Sequence, residues 1–315
     1  KRETDTMPQW AGSSWYFLRY CDPNNAETLA SKEALDYWMP VDWYNGGMEH
    51  VTRHLIYSRF WHKFLYDIGA VTTEEPYSKR TAQGLVLGPD GVKMSKSRGN
   101  VIDPNDVVDE YGADVLRVYV LFMGDYEQAA PWSENSMKGC KRFLDRIWAL
   151  QDKLVDGDEY RPELRAAMHR TIKKVSKDIE DMKFNTAVDA MMTVIKTIYD
   201  IGTINRAEYR DLLIMLNPFA PNITEEIYEL CGFGGYVHDA KWVEYNEEFC
   251  IEDTIEIAVQ VNGKLRGTVM IASDAEKDDV IAIAKSDSKI ADFISGKDIV
   301  KEIYVPKKLV NIVVK

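Results

Sequence analysis

The sequence has 315 residues, 45% of them hydrophobic and 29% charged, with 19 Gly and 11 Pro. This composition is typical of a folded globular protein and excludes collagen-like and low-complexity chains. The 39 basic and 51 acidic residues give a net charge of −12, which opposes non-specific adsorption to nucleic acids or anionic membranes but leaves room for a local basic site.

Two further features of the sequence bear on the cellular compartment in which the protein is expected. No apolar run approaches the roughly 18 residues that a membrane-spanning helix needs. The four cysteines form no Cys-X-X-Cys pair, so neither a zinc knuckle nor a dense disulfide framework is indicated. We therefore expect a protein of the reducing cytoplasm with no membrane partner.

The first part of the chain alternates strand-like and helix-like segments. In chain order, the pattern predicts a strand at 41–44, a helix at 49–68, a strand at 84–87 that enters a hairpin turn at 88–91, a helix from 106 to 122, and a connector to Pro131. Alternation of this kind is typical of a parallel α/β layer, which we place at residues 1–131.

From residue 132 onward only the helical period remains. Apolar residues on one face predict three long amphipathic helices and two shorter ones that end near Cys231. These apolar positions are Met137, Cys140, Leu144, Ile147, Leu154, Leu164, Met168, Ile172, Val175, Ile179, Met182, Phe184, Val188, Met191, Ile195 and Ile198. Pro218 and Pro221 bracket the last break, and Asn222 is the expected N-cap of the final helix. The pattern predicts an all-α bundle with a connector over 132–250.

The end of the chain returns to strands. Alternating apolar runs at 255–261 and 265–271 flank Asn262 and Gly263, and Asn-Gly between such runs is the strongest short signal for a hairpin. Helical stretches at 275–284 and 290–294 lead to two further strands at 299–305 and 309–314. We predict a small α/β domain over 251–315.

The sharpest motif is the word Lys93, Met94, Ser95, Lys96, Ser97 in the loop after the predicted hairpin. A specified five-residue word occurs by chance in about one chain in 10⁴ of this length. Two ammonium groups and two hydroxyls on a loop suit the binding of phosphate, because the lysines supply charge and the hydroxyls supply directional hydrogen bonds. A solvated Lys/Ser loop is the alternative.

A second motif follows the first predicted strand. Gly46 and Gly47 stand between that strand and a helix, which is where α/β sheets receive nucleotides, and glycine lets a ribose approach the backbone. Glu49 could then accept hydrogen bonds from ribose hydroxyls. A simple turn is the alternative, since a Gly pair before a helix is commonly no more than that.

His50 and His54 are four residues apart, so on one continuous helix their rings would leave the same face. This spacing raises the possibility of a metal site. The zinc-protease word needs a Glu between the histidines, whereas Glu49 precedes them and His62 falls on another face. We therefore predict no metal site, and a metalloenzyme remains a rival with a simple test by elemental analysis.

These motifs resemble, in the same order along the chain, those of class I aminoacyl-tRNA synthetases and of bacterial leucyl-tRNA synthetases in particular. Residues 93–97 resemble the KMSKS signature of the family. The other matching segments are 9–20 for the leucine pocket, 45–50 and 54–60 for the adenosine-binding turn and helix, 216–221 for the anticodon bundle, and 259–266 for the C-terminal domain. Isoleucyl and valyl relatives share the loop and bundle words, whereas 13–16 and 46–50 are the more leucine-like segments.

The resemblance implies a leucine-tRNA ligase that activates leucine with ATP and transfers it to tRNA-Leu. It implies a partial Rossmann-like catalytic domain at 1–131, an anticodon-binding helix bundle at 132–250 and a tRNA-binding α/β domain at 251–315. The implied ATP-binding residues are Gly46, Gly47, Glu49, Lys93, Met94, Ser95, Lys96 and Ser97, and Lys93 and Lys96 are the implied catalytic groups. Mg²⁺ would arrive with the nucleotide.

The resemblance also implies a leucine pocket, formed by Trp10, Ser13, Tyr16, His50 and His54. For Trp10 and Tyr16, ordinary core packing is the alternative. The tail from Glu252 onward holds ten basic and eleven acidic residues, so nearly all of the net charge of −12 comes from the rest of the chain. The tail is therefore our candidate for contact with tRNA phosphates, and its proposed contacts are Lys264, Arg266, Lys307 and Lys308. A solvated face of mixed charge is the alternative here.

The sequence departs from the family in three respects. None of the five histidines lies in the family's other ATP signature, the HIGH word, and neither the editing domain nor the insertion that some members carry before the 93–97 loop is present. The chain reads like the C-terminal portion of a synthetase, a shortened form of one, or one subunit of a split enzyme whose N-terminal half is a separate chain. We expect it to be inactive alone.

Two functions of different class follow from these observations. The chain either contributes its loop, half of the substrate sites and its tRNA-binding domains to a working leucine-tRNA ligase, or is a tRNA-binding module without catalysis. A fragment of an isoleucyl or valyl enzyme is a further alternative.

Overall fold

The computed structural model describes residues 9–250, 254–272 and 275–315. The first eight residues and the predicted domain boundary at 251 lie outside the described residues. In the first part of the chain the helices are α1 (Gln9–Ser13), α2 (Tyr16–Tyr20), α3 (Lys32–Trp38), α4 (His54–Asp67), α5 (Pro104–Tyr111) and α6 (Ala113–Phe122). The strands of this part are β1 (Tyr44–Asn45), β2 (Arg80–Thr81), β3 (Val86–Leu87) and β4 (Ala130–Pro131).

Strand pairing in this part is parallel, as the sequence predicts. In β1 and β2, Tyr44 lies opposite Arg80, and a parallel bridge joins Val41 to Tyr77. The ladder is interrupted between Val41 and Tyr44, so the regular strand covers 44–45 rather than the predicted 41–44. Beneath it, a small apolar core includes Phe17, Leu18 and Leu35.

The predicted hairpin at 84–93 is present in a minimal form. The Gly88 amide donates to the Val92 carbonyl at 2.8 Å, and one antiparallel bridge joins Leu87 to Lys93. The preceding strand β3 pairs in parallel with β4. The segment up to Pro131 is therefore more than the connector that we predicted, because it contains a strand of this second sheet.

The single helix predicted from 106 to 122 is wrong. Two helices occupy this region, α5 and α6, and Gly112 between them has φ = 91°. That backbone conformation lies outside the helical region and is accessible mainly to glycine. The Asp103 side chain caps α5 by accepting from the Asn105 amide at 2.9 Å.

The helix bundle follows, with three long helices and two shorter ones among the described residues, as predicted. They are α7 (Glu134–Ala149), α8 (Pro162–Glu180), α9 (Phe184–Ile201), α10 (Arg206–Leu216) and α11 (Pro221–Leu230). The short strands β5 (Leu154–Val155) and β6 (Ile204–Asn205) pair in parallel beside them. The other predicted apolar positions form or pack against one core, in which Met137, Met168, Ile172 and Met191 are at most 1% exposed. Met182 is wrongly predicted, because α8 ends at Glu180 and Met182 follows it with φ = 56°, outside that core.

The predicted N-cap at Asn222 is wrong. Pro221 occupies the first turn of α11 and Ala220 the cap position, so Asn222 lies inside the helix. The cap comes from α6 instead. Asp114 accepts hydrogen bonds from the Ile223 amide at 2.6 Å and from the Asn222 side chain at 2.8 Å. This buried carboxylate joins the first part of the chain to the bundle.

The end of the chain forms the predicted small α/β unit. Its elements are β7 (Thr254–Val261), β8 (Lys264–Ala272), α12 (Lys277–Ser286), α13 (Ser288–Ile294), β9 (Ile299–Val305) and β10 (Leu309–Val314). The sheet order is β8-β7-β10-β9. Asn262 and Gly263 both have positive φ, at 52° and 76°, which confirms the Asn-Gly hairpin turn.

Across the described parts of the chain, none of the helices combines the length and the apolar character that crossing a membrane requires.

Candidate active site

A cavity of about 520 Å³ lies where β1 ends and the Gly46 turn begins. Cavities at the carboxyl end of a parallel strand are the usual ligand sites of α/β sheets. All five residues of the predicted leucine pocket line it, together with the predicted nucleotide residues Gly46, Gly47 and Glu49. The remaining lining residues are Gly12, Tyr44, Asn45, Leu55, Arg80 and Gln83. Three separate segments of the sequence therefore converge on one concave site.

A hydrogen-bonded chain of side chains forms one wall of the cavity. The Tyr44 hydroxyl lies 2.7 Å from the Tyr16 hydroxyl and 2.6 Å from Nε2 of His54. The Tyr44 ring stacks on the Tyr77 ring, with the two ring centroids 4.1 Å apart, and the Tyr77 hydroxyl donates to Ser58 Oγ at 2.7 Å. Tyr44 is thus fixed both by its ring and by its hydroxyl.

Burial sets the protonation of this wall. Desolvation lowers the pKa of His54, and the neighbouring His50 lowers it further. Desolvation also raises the pKa of Tyr44, with a contribution from the hydrogen bond to Tyr16. Near neutral pH the imidazole is therefore uncharged and the phenol keeps its proton. Nδ1 of His54 is buried and has no hydrogen-bond partner among the described residues.

The two histidines do not share one continuous helix, which corrects the premise of the spacing argument. His50 ends a short 3-10 helix (Met48–His50), and α4 begins only at His54. Arg53 between them has φ = −126° and ψ = −102°, which is not helical. The rings nevertheless come together, with centroids 6.3 Å apart and nearly perpendicular, and the Trp10 ring lies 5.8 Å from His50.

The Gly47 position is closely covered by the Glu49 carboxylate. A Cβ atom at Gly47 would lie 2.3 Å from Oε2 of Glu49, whereas a Cβ atom at Gly46 would meet nothing within 4 Å. The absence of a side chain at Gly47 is therefore what allows the carboxylate to lie over the turn. At Gly46 the backbone is itself bound, because its amide donates to the Thr81 carbonyl at 3.2 Å.

The 93–97 loop is held by Asn100. Its side-chain oxygen accepts from the Ser95 amide at 2.9 Å, and its Nδ2 donates to the Asp90 carboxylate at 3.2 Å. Met94 packs against the core of the helix bundle. Lys93, Lys96 and Ser97 are exposed. The result is a loop with a fixed base and solvent-facing ammonium groups.

The structure does not bring this loop into the cavity, because none of residues 93–97 is among the lining residues. The two groups of predicted nucleotide residues, Gly46 to Glu49 and the loop, are thus separate in this conformation. Among residues 9–250, 254–272 and 275–315, no three side chains of His, Cys, Asp or Glu come together as a metal-binding group.

Comparisons with known proteins connect this geometry to a family. Residues 1–133 match the family described as tRNA synthetases class I (I, L, M and V), and residues 162–282 match the anticodon-binding domain of tRNA ligase. Over its whole length the chain is 58% identical to a leucine-tRNA ligase of Alkaliphilus oremlandii and 48% identical to one of Chloroherpeton thalassium. The chain belongs to the leucyl-tRNA synthetase family.

The match to these leucyl-tRNA synthetases covers all of this chain but less than half of each relative. The chain is covered to 100% in both comparisons but spans 39% and 40% of the length of the two relatives. A solved structure, a ternary complex of Agrobacterium radiobacter LeuRS with tRNA and LeuAMS, matches with a TM-score of 0.77 at 34% identity. It covers 100% of this chain, which spans 42% of that one. The family resemblance stated from the sequence is confirmed.

Several cavity residues of this leucyl-tRNA synthetase family member escaped the sequence analysis. Tyr44 is the last residue of the predicted strand before the glycine pair, and that position could have indicated it. Arg80 and Gln83 gave no such signal, because they reach the cavity through the pairing of β2 with β1. The Arg80 guanidinium lies 3.4 Å from the Gly46 carbonyl, and its Nε is buried without a partner.

The four candidate tRNA contacts of the tail are exposed, but they do not form one cluster. Lys264 begins β8 at the hairpin end of the sheet, opposite Val261. Lys307 and Lys308 precede β10, and the Lys308 carbonyl accepts from the Ala258 amide. Because Ile312 lies opposite Val261, the register separates Lys308 from the level of Lys264 by four residues, or roughly 13 Å, along the strands. Arg266 stacks on the Phe293 ring at 4.2 Å.

Proposed function

We propose that this chain forms part of a cytoplasmic leucine-tRNA ligase, which joins leucine to ATP and transfers the acyl group to tRNA-Leu. The observation that supports it is the convergence of eight predicted substrate residues, from 10–16, 46–49 and 50–54, on one cavity of about 520 Å³. Within this function we assign residues 1–131 to catalysis, 132–250 to the anticodon-binding bundle and 251–315 to further tRNA contacts.

Leucine occupies the part of the cavity between Trp10, Tyr16 and His54. The aromatic rings offer an apolar surface to the leucine side chain, while Ser13 contributes a hydroxyl whose oxygen lies 3.2 Å from the Trp10 carbonyl. Nδ1 of the neutral His54 is buried in this conformation and has no partner in the part of the chain that the structure describes. In the tautomer whose proton is on Nε2, Nδ1 accepts from the leucine ammonium group once a shift of the wall uncovers it. His50 completes the wall beside Trp10.

Adenosine binds at the Gly46 turn. Glu49 holds its carboxylate over Gly47, where two acceptor oxygens suit the two ribose hydroxyls. Arg80, on the neighbouring strand, provides guanidinium donors at the same edge. This arrangement places the leucine and nucleotide sites side by side, so that the leucine carboxylate can lie in line with the α-phosphate.

The 93–97 loop supplies charge to the phosphates. Adenylate formation needs no covalent enzyme intermediate, so catalysis is mostly positioning together with stabilisation of the developing phosphate charge. Lys96 is the main phosphate contact and Lys93 supports it, while Met94, Ser95 and Ser97 shape the loop. Because the loop is outside the cavity, it must move toward bound ATP. Mg²⁺ arrives with the nucleotide and is held largely by phosphate oxygens.

The test of catalysis uses two polypeptides. This chain is co-expressed with the part of the Alkaliphilus oremlandii ligase that does not align with it, and leucine-dependent exchange of pyrophosphate into ATP is measured. We expect no exchange from this chain alone and restored exchange from the pair. Exchange that responds to isoleucine or valine instead of leucine would reject the leucine assignment.

The test of tRNA recognition uses this chain alone. Binding of tRNA-Leu and tRNA-Val is compared at about physiological salt, because weak phosphate attraction is screened there and selectivity becomes visible. We expect preference for tRNA-Leu. Selective binding without any rescue of exchange in the paired experiment would favour a tRNA-binding module without catalysis.

A further inference from the structure

Helix α4 has its polar and apolar faces exchanged relative to an ordinary amphipathic helix, which buries its apolar face. The side that it buries in this chain is polar: His54, Ser58 and His62 are 8%, 0% and 1% exposed. The side that it exposes carries a line of apolar residues, bordered by the charged residues Arg59 and Lys63. There, Ile56, Phe60 and Phe64 are 57%, 74% and 50% exposed.

The two sets are stripes on opposite faces of the helix. Within each set the residues are four apart, so each forms a line along the helix, and the sets are offset by two residues, or about 200°. Each residue of the buried stripe has a local partner, since His54 bonds to Tyr44, Ser58 to Tyr77, and His62 lies 2.7 Å from the Thr73 carbonyl, although Nδ1 of neither histidine has one within the described ranges. Nothing in the polar stripe therefore explains the apolar one.

The borders of the apolar stripe resemble those of a protein interface. Along one border, Arg59 and Lys63 bind the Glu75 carboxylate at 2.6 and 2.9 Å, and this pairing, chiefly with Arg59, lowers the pKa of Glu75 to about 2. Along the other border lie Tyr57 and Trp61. An apolar centre with compensated charges at its rim is the usual anatomy of a docking surface, whereas a solvated helix face carries scattered polar residues.

The layer beneath α4 is also incomplete. In the described part of the chain, β1 pairs only with β2, as a two-stranded parallel sheet of two-residue strands. Parallel sheets occur almost only as larger sheets with both faces covered by helices. The leucine-tRNA ligase of Alkaliphilus oremlandii is much longer, since this chain spans 39% of it. The relatives thus carry the additional chain that such a layer requires.

We propose that the α4 stripe, defined as Ile56, Phe60 and Phe64, is the docking surface for that additional part of the synthetase chain, which meets it with an apolar face. The inference rests on the proposed function for the identity of the occupant. In the assembled protein the stripe is buried. Its contacts hold α4 against the rest of the catalytic fold, and they thereby hold the cavity wall that His54 forms.

The experiment compares the stripe with a matched exposed residue elsewhere. Ile56→Asp and Phe60→Asp are made in the stripe, and Leu230→Asp is made on α11, where Leu230 is 58% exposed. Each variant is co-expressed with the non-aligning part of the Alkaliphilus oremlandii ligase, and the complex is quantified by size-exclusion chromatography and titration. Circular dichroism of each variant alone verifies folding, and Phe60→Leu serves as the conservative replacement.

We expect the wild type, Leu230→Asp and Phe60→Leu to form the complex, and each stripe variant to associate at least about tenfold more weakly. No complex with the wild type, or complexes unaffected by the stripe variants, would overturn the proposal. A dimer of this chain alone that dissociates on Phe60→Asp would also overturn it, because the occupant would then be a second copy.

The test of the docking surface can fail or succeed independently of the test of the proposed function. Leucine-dependent exchange is measured on every complex that forms. A complex assembled through the stripe but without exchange activity rejects the proposed activity and leaves the docking surface in place. An active complex that tolerates both aspartates rejects the docking surface alone.

Discussion

The Tyr44 hydroxyl is shared between the Tyr16 hydroxyl and Nε2 of His54, at 2.7 and 2.6 Å. Three elements meet at this oxygen, because Tyr16 begins α2, Tyr44 begins β1 and His54 begins α4. The hydroxyl thus fixes both the geometry of the cavity wall and the orientation of the imidazole. With Nε2 engaged, the buried Nδ1 is the ring nitrogen of His54 that is left without a partner among the residues that the structure describes.

Replacement of Tyr44 by Phe should loosen this wall. The change preserves the stacking on Tyr77 but removes the partner of two polar groups, which costs about 1–3 kcal/mol. We expect the opening free energy of α4, measured by amide hydrogen exchange, to fall by that amount. Tyr37→Phe is the control, because Tyr37 is 79% exposed. Equal protection of α4 in both variants would show that the hydroxyl has no such role.

The sequence predicts those residues of the site that are close together along the chain, and it misses those that are brought in by contacts between distant segments. Gly47, Glu49, His50 and His54 lie within eight residues, so their convergence follows from one strand, one turn and one helix start. Arg80 is different, because it reaches the cavity only through the pairing of Tyr44 with Arg80 across two strands. Parallel pairing leaves no local signal in either segment.

The fold shows the same division between local and distant causes. The Asn262-Gly263 hairpin and the long bundle helices follow from turn chemistry and from apolar periodicity, and both predictions are confirmed. The N-cap of α11 could not be found locally, because its acceptor, Asp114, lies more than one hundred residues earlier in the chain. The break at Gly112 was missed because apolar periodicity alone does not register a single residue with positive φ.

Replacement of Gly47 by Ala should weaken nucleotide binding without unfolding the chain. The new Cβ would meet Oε2 of Glu49 at 2.3 Å, and the flexible carboxylate would move away from the position that we assign to ribose recognition. We expect about a tenfold loss of ATP affinity in the assembled two-chain enzyme, typical of losing one hydrogen-bonding group at a charged site. Calorimetric titration measures it.

Gly139→Ala is the matched control for that experiment. Gly139 lies on α7, outside the lining of the cavity, and the nearest atom that a Cβ there would meet is in the Arg142 side chain, at 3.9 Å. ATP affinity should therefore stay close to that of the wild type. If both variants lose affinity equally, the role assigned to Glu49 is wrong.

Stability should fall as the solution is acidified from pH 7.5 to 5.5. Desolvation lowers the pKa of the buried His62 below its ordinary value near 6.5. As the pH drops through the ordinary pKa near 6.5, His62 binds a proton in the unfolded chain but stays neutral in the folded chain. Unfolding therefore becomes more favourable. The decline should be smaller in His62→Gln. A thermal midpoint equally sensitive to pH in this variant would contradict the assignment.

His238 provides a control of opposite sign in the same pH window. It is exposed, and its hydrogen bond to Glu225 raises its pKa. This pair stabilises the fold below pH 6.5 and loses that effect as the pH rises through the folded pKa. In His238→Asn the acid-induced decline of the thermal midpoint should therefore be steeper than in the wild type.

Lys96→Ala should lower the rate of leucyl-adenylate formation in the assembled enzyme by a factor of about 10² or more, as removal of one charge-stabilising group typically does. Lys96 is exposed at the start of the short helix Lys96–Arg98, so its loss leaves the fold intact. Lys241→Ala, at a site 84% exposed on the bundle, controls for net charge. Because Lys96 contacts phosphate only after the loop moves, kcat should fall more than the affinity for leucine, and pre-steady-state adenylate formation separates the two. An unchanged rate would mean that the loop contributes no charge to the reacting phosphates.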